Sequence, residues 1–203
     1  MLPKPVKTAI FDLGNVIVFF STPKMIAQLA LCTGLSQDQV RHLLIDRKLQ
    51  SLYESGQLTS EDLYRAFLSE TNKKFTREDL FYAASDIFIP NTPIFPLIEH
   101  LKKQGIRLLL LSNTSEAHYH FIAPRLPIIQ LFDAKILSYQ VQAIKPQSAI
   151  YHEALAQAQC KPKECFYTDD IPEYIAAAKT HGIDAVLFTD VADLSHQLAV
   201  RGY

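Results

Sequence analysis

Lys7-Thr8-Ala9-Ile10-Phe11-Asp12-Leu13-Gly14-Asn15-Val16-Ile17-Val18 is an apolar run broken by one carboxylate and a Gly-Asn turn. A run so rich in β-branched and aromatic residues predicts a strand buried on both faces. Gly14-Asn15 is turn chemistry that ends it. Asp12 therefore falls at the strand's carboxyl end, the edge at which open parallel α/β sheets bind ligands. The same stretch also reads as a buried strand whose one acid faces solvent at a turn, so the choice rests on the remaining chain.

Working outward, Val18-Phe19-Phe20 reads as an extended flap, and Ser21-Thr22-Pro23 opens a helix with proline in its first turn. From there to Phe88 the apolar spacing is helical throughout, through Met25, Ile26 and Leu29, then Val40, Leu43 and Leu44, then Leu63 and Phe67, then Leu80 and Ala84. Thr59-Ser60-Glu61-Asp62 has the form of a helix start. Helices in succession without a strand predict a helical subdomain at residues 21-88, inserted into an α/β core made of residues 1-20 and 89-203.

The core pattern resumes at Asn91-Thr92-Pro93 with a helix from Ile94 to Gln104, closed by Gly105. Ile106 to Leu111 is a second strand, ending at Ser112-Asn113-Thr114; these three also read as caps for the next helix. Phe132 to Ser138 reads as a third strand, and Lys145-Pro146 opens the helix through Ile150, Tyr151, Ala154 and Leu155. In isolation Lys145 reads as a surface lysine. Cys165 to Thr168 is a fourth strand ending in Asp169-Asp170, and Ala185 to Phe188 a fifth. Adjacent acids repel unless a cation lies between them or one is neutral, although acid pairs also occur at ordinary helix starts. Alternating strands and helices predict a doubly wound parallel sheet with right-handed crossovers.

Composition narrows the function. In 203 residues the net charge is −1 and the basic residues are scattered, which supplies no footprint for nucleic acid or an anionic membrane. Three cysteines, Cys32, Cys160 and Cys165, are odd in number and lack metal-ligand spacing, so a reducing, cytoplasmic setting is expected. Lys4 and Lys7 before an apolar run resemble the start of a secretory signal, but Asp12 breaks that run and no small-residue cleavage site follows.

In a parallel sheet, Asp12, Ser112-Asn113, Lys145 and Asp169-Asp170 all fall at one edge. Carboxylates suited to a hard divalent cation, together with a lysine and a hydroxyl, make a plausible phosphate site. With these motifs on the page, the chain resembles the haloacid dehalogenase superfamily. That family has an Asp after its first strand, a Ser or Thr after the second, a Lys before a later helix and an acidic pair, and a helical cap follows the first motif. The match to Phe11-Asp12-Leu13-Gly14-Asn15-Val16, Leu111-Ser112-Asn113-Thr114, Lys145-Pro146 and Tyr167-Thr168-Asp169-Asp170 resembles the subgroup of sugar-phosphate phosphatases and the phosphatase domain of soluble epoxide hydrolases.

The resemblance implies a Rossmann-like core with an inserted helical cap. It implies a magnesium-dependent phosphatase acting on a small phosphorylated metabolite, such as a sugar phosphate, through an aspartyl-phosphate at Asp12. By the same resemblance Lys145 pairs with Asp12 and the transferring group, Ser112 and the Asn113 backbone bind phosphate oxygens, and Asp12, the Gly14 carbonyl, Asp169 and Asp170 hold Mg²⁺. Three departures stand out. Gly14 occupies the position of the usual acid/base Asp, Gln142-Ala143-Ile144 precede Lys145 where many relatives have a Gly and a basic residue, and Tyr174 stands where the family often has Asn. The first keeps alive an alternative, a weak or inactive member that binds a phosphorylated ligand or a protein partner. A metal-free haloacid dehalogenase fits less well, because Asp169-Asp170 would repel a carboxylate substrate. Outside the motifs, His118 and His120 could face the site or lie on a helix surface, Phe19 and Phe20 could contact substrate from the flap but are expected to pack under the cap, and Arg47, Tyr53 and Glu54 are cap candidates for substrate selection.

Overall fold

The computed structural model describes residues 6–203; residues 1–5, with Lys4, lie outside them. Strand β1 (Thr8–Phe11) leads to β2 (Val18–Phe20), and five helices follow: α1 (Thr22–Thr33), α2 (Gln37–Arg41), α3 (Leu49–Glu54), α4 (Ser60–Leu68) and α5 (Arg77–Ser85). Strand β3 (Phe88–Pro90) returns the chain. Then come α6 (Phe95–Lys103), β4 (Arg107–Ser112), α7 (Glu116–Ile122), β5 (Ala134–Leu137), α8 (Ser138–Val141), α9 (Ser148–Ala158), β6 (Cys165–Asp169), α10 (Pro172–Thr180), β7 (Asp184–Leu187) and α11 (Val191–Ala199).

The main sheet has the order β5-β4-β1-β6-β7 and every pairing is parallel. Helices cover both of its faces, the doubly wound α/β fold expected from the alternation. Alternation along each strand explains why the sequence looks continuously apolar. Ala9, Phe11, Leu108 and Leu110 pack with Ile98, Leu101, Ile122 and Leu194 on one face. Ile10, Leu109, Leu111 and Tyr167 pack with Ile150, Tyr151, Ala154 and Ile175 on the other. Each large apolar side chain fully buried in this way contributes roughly 1.5–3 kcal/mol.

Register decides where the chemistry falls. Phe11 pairs with Leu110 and with Thr168, and Ser112 with Leu137. The residues after Phe11, Leu111 and Thr168 therefore emerge at one edge of the sheet.

Helices α1 to α5, with the π-helical turn His42–Asp46 between α2 and α3, share a third core built on Met25, Ile26, Leu29, Leu43, Leu63, Phe67 and Leu80. Their starts follow local chemistry: the side chains of Thr59 and Asp62, and of Thr76 and Asp79, form reciprocal capping boxes. The chain enters and leaves this unit through an antiparallel hairpin in which Val18 pairs with Pro90 and Phe20 with Phe88. Residue 88 thus lies in the return strand of that hairpin. Among the described residues, no helix is long and apolar enough to cross a membrane.

Two segments differ from expectation. Phe132 and Asp133 precede β5 rather than starting it: Phe132 packs edge-on against Phe11, and the Asp133 carboxylate accepts from the Leu108 N–H at 2.9 Å and from Lys102 at 2.7 Å. Helix α9 starts at Ser148, two residues beyond Pro146, because the Lys145 backbone is held elsewhere. Its N–H donates to Asn113 Oδ1 at 2.7 Å and its carbonyl accepts from Asn113 Nδ2 at 3.1 Å.

Candidate active site

Lys145 is no surface lysine. It is 1% exposed, and its ammonium donates to Asp12 Oδ1 at 2.9 Å, Asp169 Oδ2 at 2.6 Å and the Leu111 carbonyl at 3.2 Å. Burial works to lower the lysine pKa, but the charges and hydrogen bonds of Asp12 and Asp169 override it and raise the value. The ammonium is therefore permanent, an ionic clamp between the ends of β1 and β6. Asp169 is also held by the Tyr167 hydroxyl and by the Ile171 N–H at 2.9 Å. Tyr167 lies two residues earlier on β6, on the same face of the strand, so sequence alternation could have found it.

Asp12 is 7% exposed, and burial pushes its carboxyl up to about 7; Lys145 opposes the rise and the charge of Asp169 adds to it. One further positive charge would bring it back down. The donor set fits such a charge. Asp12, Asp169 and Asp170 each present an oxygen within 4.8 Å of the others. Three hard carboxylates against one ammonium leave this corner short of cation, and oxygen donors suit Mg²⁺. Gly14 lines the same cleft. Asn15, in a left-handed conformation at φ 53°, donates its side-chain amide to Asp170 Oδ2 at 3.0 Å and so fixes the outer acid.

Ser112 ends β4, buried, and faces the same cleft as Asn113 and Thr114. The capping alternative for these three falls away, because the cap of α7 is Ser115, whose hydroxyl accepts from the His118 N–H. Asn113 instead braces the lysine loop through both backbone bonds described above. Tyr174, the departure from the family pattern, packs here: its ring lies 5.0 Å from the Lys145 ammonium and its hydroxyl accepts from Asn113 Nδ2 at 3.3 Å.

The cleft encloses about 210 Å³. Its core wall is Asp12, Gly14, Ser112, Asn113, Lys145 and Asp170, and helices and hairpin supply the opposite wall with Phe20, Met25, Gln50, Glu54 and Phe88. Of the three cap candidates only Glu54 reaches it. Arg47 is exposed and pairs with Glu70, while Tyr53 is buried among the cap helices and bonds Ser60 and the Ala117 N–H. Gln50 and Ser138, both important here, carried no sequence signal. His118 lines the cleft, and its Nε2 lies 3.2 Å from the Ala84 carbonyl, so it joins α7 to α5. Burial drops its pKa to about 4, which makes it a neutral strut. His120 is exposed on the far side of α7. Phe19 and Phe20, expected to pack, are about half exposed on the hairpin; Phe20 leans on the Phe88 ring and lines the cleft, whereas Phe19 does not reach it.

A strand-end carboxylate, a buried lysine and two further acids meet at one edge of this sheet, and comparison with known proteins gives the class. Residues 6–182 match the haloacid dehalogenase-like hydrolases, and the chain belongs to that family. The HAD-family enzyme bt-2542 of Bacteroides thetaiotaomicron superposes with a TM-score of 0.84 at 21% identity, covering 96% of this chain and 99% of that one. The same enzyme in complex with magnesium and inorganic phosphate gives a TM-score of 0.78 at 22% identity, over 95% and 98% of the two chains. Rat bifunctional epoxide hydrolase 2 is 27% identical over 130 residues, 62% of this chain. The aligned part spans 24% of that relative.

Proposed function

We propose that the protein is a Mg²⁺-dependent phosphatase of small phosphorylated metabolites, with Asp12 as nucleophile. The observation that carries this reading is the buried Lys145 ammonium bridging Asp12 and Asp169 beside a third carboxylate, Asp170. Without a cation the corner repels a phosphate dianion; with one it attracts it. The bt-2542 complex with magnesium and inorganic phosphate, on the same fold, supports the choice of ion and of group.

Asp12, Asp169, Asp170 and the Gly14 carbonyl would hold the ion. When bound, Mg²⁺ supplies positive charge against the phosphoryl oxygens and keeps Asp12 ionised. Lys145 orients the Asp12 carboxylate and offsets charge that develops on the transferring group. Ser112 and the Asn113 backbone receive the remaining phosphate oxygens. Asp12 attacks phosphorus as the ester P–O bond breaks and the alcohol leaves with a proton. Water then attacks the aspartyl-phosphate, returning Asp12 and releasing inorganic phosphate. A cleft of about 210 Å³ suits a small metabolite rather than a polymer.

One observation favours the second reading, a phosphate binder without turnover: Phe20 covers the place where the acid of position 14 would stand, 3.0 Å from an added Cβ. The same experiment separates the two. Phosphate release from 4-nitrophenyl phosphate with and without Mg²⁺ is expected in the wild type and lost by at least about 10³-fold in Asp12→Asn. Mg²⁺-dependent binding of inorganic phosphate with no release from any ester would establish the binder instead.

A further inference from the structure

With glycine at position 14, the first half-reaction lacks a proton donor for the departing oxygen. The cleft offers few substitutes. Asn15 spends its amide on Asp170 and has no acidic proton to give. His118 is neutral, and Tyr174 is a phenol whose pKa burial raises further. Lys145 holds two carboxylates, and Asp170 belongs to the cation set. Glu54 remains, on the cap wall of the same cleft.

Its placement is fixed by the core as well as by the cap. The Glu54 carbonyl, at the end of α3, accepts from the Ser138 hydroxyl at 2.6 Å. That fully buried hydroxyl also accepts from the Thr114 N–H and lies 2.9 Å from the Thr114 carbonyl, so one oxygen ties Glu54 to the loop of Ser112 and Asn113. Two residues later, Gly56 passes so close to the Tyr139 carbonyl that a Cβ would lie 2.3 Å from it. Backbone contacts thus dock the end of α3 on the core. The side chain is not committed elsewhere: Gln50 donates to one carboxyl oxygen at 2.8 Å, and no cation pairs with Glu54 among the described residues.

We propose that Glu54, carried by the helical cap, is the general acid and base that Gly14 cannot be. The proposal rests on the phosphatase reading above. As the P–O bond to the alcohol breaks and that to Asp12 forms, the Glu54 carboxyl gives its proton to the departing oxygen. In the second half, Glu54 carboxylate takes a proton from the water attacking phosphorus while the bond to Asp12 breaks. Ester and water become alcohol and inorganic phosphate, and both carboxyl groups return to their starting states. Burial raises the Glu54 pKa to about 7 against the pull of the Gln50 hydrogen bond, which suits a group that must both give and take a proton near neutrality. The substrate class follows: esters of poor, alkoxide-like leaving groups, the case of sugar and other alkyl phosphates.

The test compares wild type and Glu54→Gln on phenyl phosphate and 4-nitrophenyl phosphate with Mg²⁺. The two esters are alike in shape and differ in how much the leaving group needs a proton. In Glu54→Gln, kcat/KM is expected to fall by about 10²-fold or more on phenyl phosphate and by far less on 4-nitrophenyl phosphate. The activated ester also reports that the variant is folded. The kcat values should fall on both esters, since the second half-reaction has lost its base. Equal losses of kcat/KM on the two esters, or no loss on either, overturn the assignment of Glu54. Failure of the wild type to release phosphate from either ester overturns the phosphatase reading itself.

Discussion

The two walls of the cleft are built on opposite plans. On the core wall the central groups are held several times over: Lys145 by three acceptors, Asp169 by three donors, Asn113 by two backbone bonds. On the cap wall Gln50 and the Glu54 carboxyl hold each other through one hydrogen bond, and the apolar side chains of Phe20, Met25 and Phe88 fill the remainder. On the phosphatase reading proposed above, the core wall is a preorganised charge trap for the phosphoryl group common to all substrates, and the cap wall, more lightly braced, faces the part that varies.

The largest effect that could break this contrast is on the core wall. In Lys145→Met, Asp12 and Asp169 would face each other unpaired, and a buried ion pair broken on one side costs about 3–5 kcal/mol. Urea unfolding in the presence of a chelator should show that loss. A loss below about 1 kcal/mol would mean that the clamp is looser than its geometry. Glu54→Gln on the cap wall is expected to behave oppositely. A carboxyl whose pKa is raised to about 7 is destabilising once ionised, so the variant should be at least as stable as wild type above pH 7.

This asymmetry also explains what could be read from sequence. Asp12, Ser112 and Asp169-Asp170 each follow an apolar run, and parallel pairing carries strand ends to a common edge, so local pattern was enough to gather them. Lys145 was legible only through its company. Its burial depends on Asn113 and Leu111, more than thirty residues away, and no local pattern marks it. The cap wall was hardly legible. Glu54 and Arg47 looked alike as polar cap residues, and only the docking of α3 on Ser138 and Tyr139 separates them. Strand β3 went unread because three residues ending in proline make a weak strand signal.

A smaller effect tests how the walls are joined. His118 links α7 to α5, and its folded pKa of about 4 lies below the ordinary 6.5. The unfolded chain takes up this proton first as the pH falls. Stability from the neutral ring is therefore complete above 6.5 and is lost progressively towards pH 4. Between pH 7 and pH 4.5 the wild type should lose about 2–3 kcal/mol relative to His118→Gln. The comparison cancels the opposite contributions of Asp12 and Glu54, which both proteins share. Parallel pH profiles for the two would show that the ring does not carry the join.

The smallest effect concerns the point where the hairpin presses on the turn after Asp12. A methyl at Gly14 would lie 3.0 Å from Phe20 Cε1, closer than a carbon pair prefers. Phe20 is about half exposed and has room to swing, so Gly14→Ala should cost only about 1 kcal/mol, the lower end of overpacking. On a Phe20→Leu background the cost should vanish, and a double-mutant cycle by thermal unfolding measures the coupling. Should the cost persist, backbone rather than the ring excludes a side chain at 14. Should it vanish, the hairpin and the missing acid are one feature: an aromatic side chain closes over the turn after Asp12, and on the proposal above proton transfer is left to Glu54.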